Sequence, residues 1–96
     1  MRILVVEDHI SLLHSIKGIL EKNFTVDIAS NGEDGYFLAM QNIYDAIILD
    51  VMLPEMNGFQ ITKNLRKEGI DTPIMFLTAR DSLKNRVKGL DLGGDD

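Results

Sequence analysis

The sequence predicts an α/β fold class with a doubly wound parallel sheet, and two features of the chain indicate it. Short runs of apolar and β-branched residues alternate with stretches of helical periodicity along the chain. Two of these runs, residues 46–49 and 74–77, are continuously apolar, as is typical of parallel strands that helices cover on both faces. Sites in this class of fold form in the crevice outside the carboxyl ends of the strands.

Strands and helices are predicted in strict alternation. The strands are predicted at residues 3–6, 24–28, 46–49 and 74–77. The helices are predicted from behind the first strand to residue 22, near residues 33–41, over residues 58–67 and over about 82–92. The chain, residues 1–96, is therefore predicted to be one domain.

Turn residues agree with three of these boundaries. Residues 30–33 indicate a turn that leads into a capping box at the start of the second helix. Glu68-Gly69 indicates a helix stop, and Thr72-Pro73 indicates the start of a strand.

Composition excludes several classes of function. The absence of cysteine excludes a disulfide framework and a thiolate zinc site, and His9 and His14, interpreted as surface or semi-buried histidines, make a poor metal-ligand set. A net charge of -5 argues against direct binding to a nucleic-acid backbone. The apolar run at residues 3–6 is too short for a signal peptide or a membrane span, so we expect a cytoplasmic protein without membrane contact.

Polar residues follow three of the predicted strands: Glu7-Asp8 after the first, Asp50 after the third and Thr78 after the fourth. These residues should meet at one edge of the sheet, because parallel strands lie about 4.8 Å apart and end on the same side. Two carboxylates about 5 Å apart repel by roughly 3 kcal/mol at an effective dielectric constant of about 20. A bound cation would remove that cost, and hard oxygen ligands favour Mg2+.

The same arrangement predicts phosphoryl chemistry. A carboxylate beside Mg2+ can attack phosphorus, and Asp50 is the best-placed nucleophile for forming an aspartyl phosphate. Thr78 could donate its hydroxyl to a phosphoryl oxygen, a bond that exists only after phosphorylation.

Together these residues resemble the receiver domains of two-component response regulators. The matching positions are Glu7-Asp8, residues 50–54 with Gly58, residues 78–79 and residues 89–96. The resemblance implies a flavodoxin-like (CheY-like) receiver fold in which Asp50 is phosphorylated and Thr78 is the switch hydroxyl. It also implies that Mg2+ is bound by Asp8, Asp50 and the backbone carbonyl of Met52, with Glu7 acting through water.

The resemblance implies partners as well. A sensor histidine kinase or a small acyl phosphate would supply the phosphoryl group, and residues 80–92 would shift between two packings in response. The last residues are similar to the winged-helix branch of transcriptional regulators, so DNA would be bound only by an output domain absent from this chain. The family's fifth strand, with its lysine, and its last helix are expected to be lacking here. We therefore expect a homodimer or a swapped dimer, or marginal stability.

Each site residue also has a structural interpretation. Asp50 could be a helix cap or turn residue, Asp8 could N-cap the first helix, and Thr78 could simply end a strand. Gly58 could let a loop pass close to the site or could merely begin a helix.

Other functions are also considered beside a regulatory switch that is not an enzyme. A phosphorylation-independent receiver-like module would use the helix after Arg80 as a docking face. A hydrolase that forms an aspartyl phosphate usually carries a second aspartate two positions after the first, where this chain has Met52. A nucleotide-binding module is disfavoured because no glycine-rich loop follows the first strand.

Overall fold

The sheet and the helices around it are seen in a computed structural model that describes residues 1–77. The strands are β1 (Arg2–Val6), β2 (Thr25–Ala29), β3 (Ala46–Asp50) and β4 (Ile74–Leu77). The helices are α1 (Ile10–Leu20), α2 (Gly32–Ala39) and α3 (Gly58–Lys67). The helix predicted over residues 82–92 lies outside the described residues. No helix in the described part of the chain has the length and apolarity needed to cross a membrane.

Within residues 1–77 all the strand pairs are parallel, and the strand order is β2-β1-β3-β4. The chain moves outward from β1 to β2, returns past β1 to β3 and continues to β4, so the doubly wound prediction is confirmed. Val6 pairs with Leu49, and Asp50 pairs with Leu77. The carboxyl ends of β1, β3 and β4 therefore meet at one edge of the sheet.

Two apolar clusters lie on opposite faces of the sheet. On one face, Leu4 and Val6 of β1 pack with the inward residues of α2 and α3, including Ile61 and Leu65. On the other face, Leu13 of α1 packs with a smaller set from β1 and its neighbours. β1 contributes buried side chains to both clusters, which explains why its sequence is a continuous apolar run.

The predicted boundaries of α3 and β4 are confirmed, and the other elements differ from prediction by one or two residues. Helix α1 ends at Leu20, before the predicted Lys22, because the Leu20 carbonyl accepts the backbone N–H groups of both Asn23 and Phe24 in a closing turn. Helix α2 ends at Ala39 instead of near residue 41.

The predicted capping box at residues 30–33 is wrong. Asn31 caps α2, and its Oδ1 accepts the backbone N–H of Asp34 at 2.7 Å. A capping box does form at α3, where the side chain of Asn57 accepts the Gln60 N–H and the Gln60 side chain accepts the Asn57 N–H. Helix α3, which follows the loop after β3, therefore begins at a well-defined residue.

Gly58 brings the start of α3 against the end of β3. A Cβ atom at Gly58 would lie 2.5 Å from the backbone oxygen of Asp50, a distance that real Cβ atoms do not adopt. The Gly58 N–H donates to the Val51 carbonyl at 3.1 Å, and the buried Thr62 hydroxyl donates to the Gly58 carbonyl at 2.9 Å. The interpretation in which Gly58 allows a close approach to the site is therefore supported, because the space beside Asp50 does not admit a Cβ atom.

We predict that Gly58→Ala lowers the free energy of unfolding by about 1 to 3 kcal/mol, because the added methyl group must displace the backbone at Asp50. The matched control is Gly18→Ala at an exposed position in the last turn of α1, where an added Cβ meets nothing within 4 Å. That control should be stabilised by up to about 1 kcal/mol, since alanine favours a helix. Urea denaturation measures both changes, and equal effects of the two substitutions would contradict the close approach.

Candidate functional site

Three carboxyl groups lie at the carboxyl end of β1 and β3. Glu7 and Asp8 directly follow β1, and Asp50 is the last residue of β3. Glu7 is 0% exposed and Asp50 is 1% exposed, whereas Asp8 is half-buried. Burial raises the pKa of Asp50, and the charges of Glu7 and Asp8 add to the shift, so the carboxyl groups of the two strand ends interact electrostatically as the sequence predicts.

The backbone around Asp50 fixes the position of its carboxyl group. Asp50 Oδ1 accepts the backbone N–H of Met52 at 3.0 Å. The N–H of Val51 donates to the Leu77 carbonyl at 3.0 Å, which continues the β3 to β4 pairing one residue beyond the strand. Asp50 is therefore held between a neighbouring strand and the turn that follows it, and it is not the N-cap of a helix.

Glu7 is held at the centre of the site by its backbone and by one of its carboxylate oxygens. Its N–H donates to the Ala29 carbonyl at 3.1 Å. Its Oε2 accepts the backbone N–H of His9 at 3.0 Å and lies 3.2 Å from His9 Nδ1. Its Oε1 and Asp8 Oδ1 are buried and accept no hydrogen bond within the described part of the chain. Buried carboxylate oxygens without a hydrogen bond are costly, so the donor set suits a cation.

His9 lies closer to the acidic residues than the sequence interpretation allowed. One ligand atom each from Glu7, Asp8 and His9 lie within 4.8 Å of one another. The His9 side chain is 67% exposed, which agrees with a surface histidine, but its ring contacts both carboxylates. Its position directly after Glu7-Asp8 is the signal that could have placed it at the site. His9 also occupies the N-cap position of α1, so the interpretation of Asp8 as the N-cap is wrong.

The ionisation of the three groups is shifted in different directions. Burial, together with the charges of Glu7 and Asp8, raises the pKa of Asp50 to about 6, although the Met52 N–H opposes the shift. A hydrogen-bond contact with Glu7 lowers the pKa of Asp8, and burial opposes that change. Hydrogen bonding to Glu7, with the charge of Asp8, raises the pKa of His9. The site therefore resists carrying its full negative charge.

An open depression of about 560 Å³ adjoins the acidic residues. It is lined by Asp8, Val51, Met52, Leu53, Pro54, Asn57 and Phe59. Met52, whose carbonyl the resemblance assigns to the metal, thus lies on the same depression as Asp8, and its side chain is exposed. The depression leaves the site open to solvent on the side of Asp8.

Thr78, the predicted switch hydroxyl, lies outside the described residues, and its role stays a prediction. Its neighbour Leu77 is the last residue of β4 and pairs with Asp50.

Replacing Asp50 with asparagine should stabilise the metal-free protein. The pKa of Asp50, about 6 in the folded state, exceeds the ordinary value of 3.8, so the folded state holds the proton more tightly. The contribution of Asp50 to the free energy of unfolding therefore falls as the pH rises from about 4 to about 6 and levels off above that, because the buried carboxyl is then ionised in both states. Asparagine keeps an acceptor for the Met52 N–H without the charge.

We predict that Asp50→Asn raises the free energy of unfolding by about 1 to 3 kcal/mol at pH 7.5 in EDTA, and that the gain nearly disappears at pH 4. Urea denaturation at both pH values measures it. Asp71→Asn, a change at an exposed aspartate, is the matched control and should have little effect at either pH. A variant that is less stable than the parent at pH 7.5 would contradict the carboxylate crowding.

Comparison with known proteins identifies the family of the chain. Residues 3–96 match the response regulator receiver domain family. The transcriptional regulatory protein CusR of Escherichia coli (strain K12) is 48% identical over 97 residues, covering 100% of this chain and 43% of that protein. DltR of Streptococcus agalactiae, also a transcriptional regulatory protein, is 44% identical over 97 residues with the same two coverages. The chain thus spans less than half the length of these curated relatives.

Solved structures give the same result. The receiver domain of the Francisella response regulator 1452 is 38% identical with a TM-score of 0.90, and the match covers 99% of this chain and 79% of that one. The BeF3-activated receiver domain of DrrB is 29% identical with a TM-score of 0.83, covering 99% of this chain and 80% of that one. The fold, the acidic strand ends and these similarities together establish that the chain belongs to the response regulator receiver domain family of two-component signalling.

Proposed function

We propose that this chain accepts a phosphoryl group on Asp50. The observation that carries the proposal is the placement of Asp50, which is 1% exposed at a strand end where burial, together with the charges of Glu7 and Asp8, raises its pKa to about 6. A carboxyl with that pKa is mostly ionised at pH 7, so it can act as a nucleophile. Its surroundings destabilise the ionised form, and a bound cation or a covalent bond to phosphorus would remove that cost.

Mg2+ is the proposed cofactor. Asp8, Asp50 and the backbone carbonyl of Met52 would hold it, and Glu7 would act through water. The buried oxygens Glu7 Oε1 and Asp8 Oδ1 support the fit, because neither has a hydrogen bond within the described residues and a cation would satisfy both. When bound, Mg2+ neutralises the charge of the incoming phosphoryl group.

The residues of the chain prepare Asp50 for attack. The Met52 N–H holds Asp50 Oδ1 at 3.0 Å, which orients the carboxylate and leaves its other oxygen to form the new bond to phosphorus. As the O–P bond forms, the bond between phosphorus and the donor breaks, and the donor group leaves with the bonding electron pair. Thr78 is proposed to donate its hydroxyl to a phosphoryl oxygen of the product.

A sensor histidine kinase is the proposed donor, with a small acyl phosphate as a substitute. Because the named relatives are transcriptional regulatory proteins of more than twice this length, we propose that a separate output domain binds DNA. A cytoplasmic location and assembly as a homodimer or swapped dimer complete the proposal. Residues 80–92 would pass the change from Thr78 to those partners.

A regulatory switch, and not an enzyme, is the proposed role. Asp50-Val51-Met52 lacks the second aspartate that a hydrolase with an aspartyl-phosphate intermediate would use as acid and base. A phosphorylation-independent interaction module is the other candidate, and the burial of charge at Glu7 and Asp50 argues against it, because unused buried carboxyl groups only cost stability.

Phosphorylation is tested by incubating the chain with acetyl phosphate and Mg2+ and measuring its intact mass. We predict the gain of one phosphoryl group, lost in EDTA and lost in Asp50→Asn. Asp71→Asn, which removes an exposed carboxyl away from the site, should keep the gain. Labelling that survives Asp50→Asn would place the acceptor elsewhere, and the absence of labelling in the parent would favour the phosphorylation-independent module.

Mg2+ should also stabilise the folded chain. A ligand that binds only the folded state adds RT ln(1 + [L]/Kd), or about 1.4 kcal/mol at ten times the Kd. We predict that Mg2+ raises the midpoint of thermal unfolding in the parent and in Asp71→Asn, and that the shift is largely lost in Asp8→Asn. An equal Mg2+ shift in Asp8→Asn would remove Asp8 from the proposed ligand set.

A further inference from the structure

His9 stands beside the acidic residues with a ring nitrogen directed at both of them. We propose that His9 supplies an imidazole ligand to the cation site of Glu7 and Asp8, so that the site also takes first-row transition-metal ions that favour nitrogen, such as Ni2+. The inference rests on the proposed function, because it concerns the same cation site. The inference differs from the proposed function in the ligand set and in the class of metal that the site accepts.

The distances fit coordination by a single ion. Nitrogen and oxygen ligands lie about 2.0 to 2.2 Å from a transition-metal ion, so two ligands on one ion lie about 3 to 4 Å apart. His9 Nδ1 lies 3.2 Å from Glu7 Oε2 and 3.5 Å from Asp8 Oδ1, within that range. Little movement would bring these atoms onto one ion, since the cluster already lies within 4.8 Å.

Buried carboxylate oxygens without a hydrogen bond are the second and independent observation. Glu7 is 0% exposed, yet its Oε1 accepts no hydrogen bond from the described residues, and the same holds for the buried Asp8 Oδ1. His9 hydrogen-bonds only to the other oxygen of Glu7, Oε2, so Oε1 remains without a hydrogen bond from the described residues. The cluster therefore keeps acceptors for a cation even with His9 in place.

Position in the chain keeps His9 at the site. It is the N-cap residue of α1, and its backbone N–H is bound to Glu7 Oε2 at 3.0 Å. The side chain begins from a backbone that is already fixed beside the carboxylates, which reduces the entropy lost when the ring coordinates a metal. Imidazole binds Ni2+ and Zn2+ well, whereas Mg2+ prefers oxygen ligands.

The opposite role for His9 is that of a competing cation. A protonated ring beside Glu7 and Asp8 would neutralise them and oppose every divalent ion. The two roles predict different consequences of removing His9. Loss of a ligand weakens binding of Ni2+ much more than binding of Mg2+, whereas loss of a competing cation strengthens binding of both ions.

Isothermal titration calorimetry of the purified chain with Mg2+ and with Ni2+ at pH 7.5 separates the two roles. We expect His9→Ala to lower the Ni2+ affinity by about ten-fold or more and to change the Mg2+ affinity by less than about two-fold. His14→Ala, which removes the other histidine from an exposed position on α1, is the matched control and should leave both affinities unchanged. Titration of Zn2+ followed by the 15N shift of His9 Nδ1 gives a direct spectroscopic readout.

If His9→Ala lowers the affinities for Mg2+ and Ni2+ equally, or raises both, the inference is overturned. The Mg2+ site of the proposed function is not contradicted by either result. Binding of Ni2+ that depends on His9, in a chain that does not bind Mg2+, supports the inference and contradicts the Mg2+ part of the proposed function. Failure of the chain to bind either ion contradicts both.

Discussion

Charge crowded at the ends of two paired strands is the constraint on which the rest of the structure depends. Parallel pairing of β1 with β3 brings Glu7 and Asp50 to the same edge, and both are almost wholly buried there. Asp8 adds a third carboxyl beside them. A hydrophobic sheet would be more stable with apolar residues at these positions. The raised pKa of Asp50 records that cost, and a cation or a covalent phosphoryl group would change it.

The neighbouring structure holds the acidic groups in place despite their repulsion. The carboxylate of Asp50 accepts the Met52 N–H, and Gly58 lets the start of α3 lie against the backbone of Asp50. The capping box of Asn57 and Gln60 fixes where α3 begins, so the loop between β3 and α3 has a defined path. Packing on the two faces of the sheet thereby supports a strained electrostatic arrangement at its edge.

Much of the fold and part of the site could be predicted from the sequence. Continuous apolar runs gave the strands, because buried parallel strands need apolar residues on both faces, and the same alternation indicated which polar residues would meet. The end of α1 and the cap of α2 could not be predicted to the residue. Each depends on which of several neighbouring residues accepts the terminal hydrogen bond. At the end of α1 the acceptor is the Leu20 carbonyl, and at the start of α2 it is the Asn31 side chain.

The position of His9 and the pKa of Asp50 also lay beyond the sequence. Periodicity predicts that a helix follows β1, but it does not predict that His9 is the N-cap of that helix. From the N-cap position the His9 ring contacts Glu7. The shift at Asp50 depends on burial and distance, which only the folded chain defines.

The central claim is that burial and the neighbouring carboxylates at this edge raise the pKa of Asp50, and that a bound cation lowers it again. Its most direct test is a 13C NMR titration that follows the Asp50 side-chain carboxyl with and without saturating Mg2+. The account predicts a midpoint near pH 6 without the metal, and a midpoint well below that with it. A midpoint close to the ordinary 3.8 in both conditions would contradict the account.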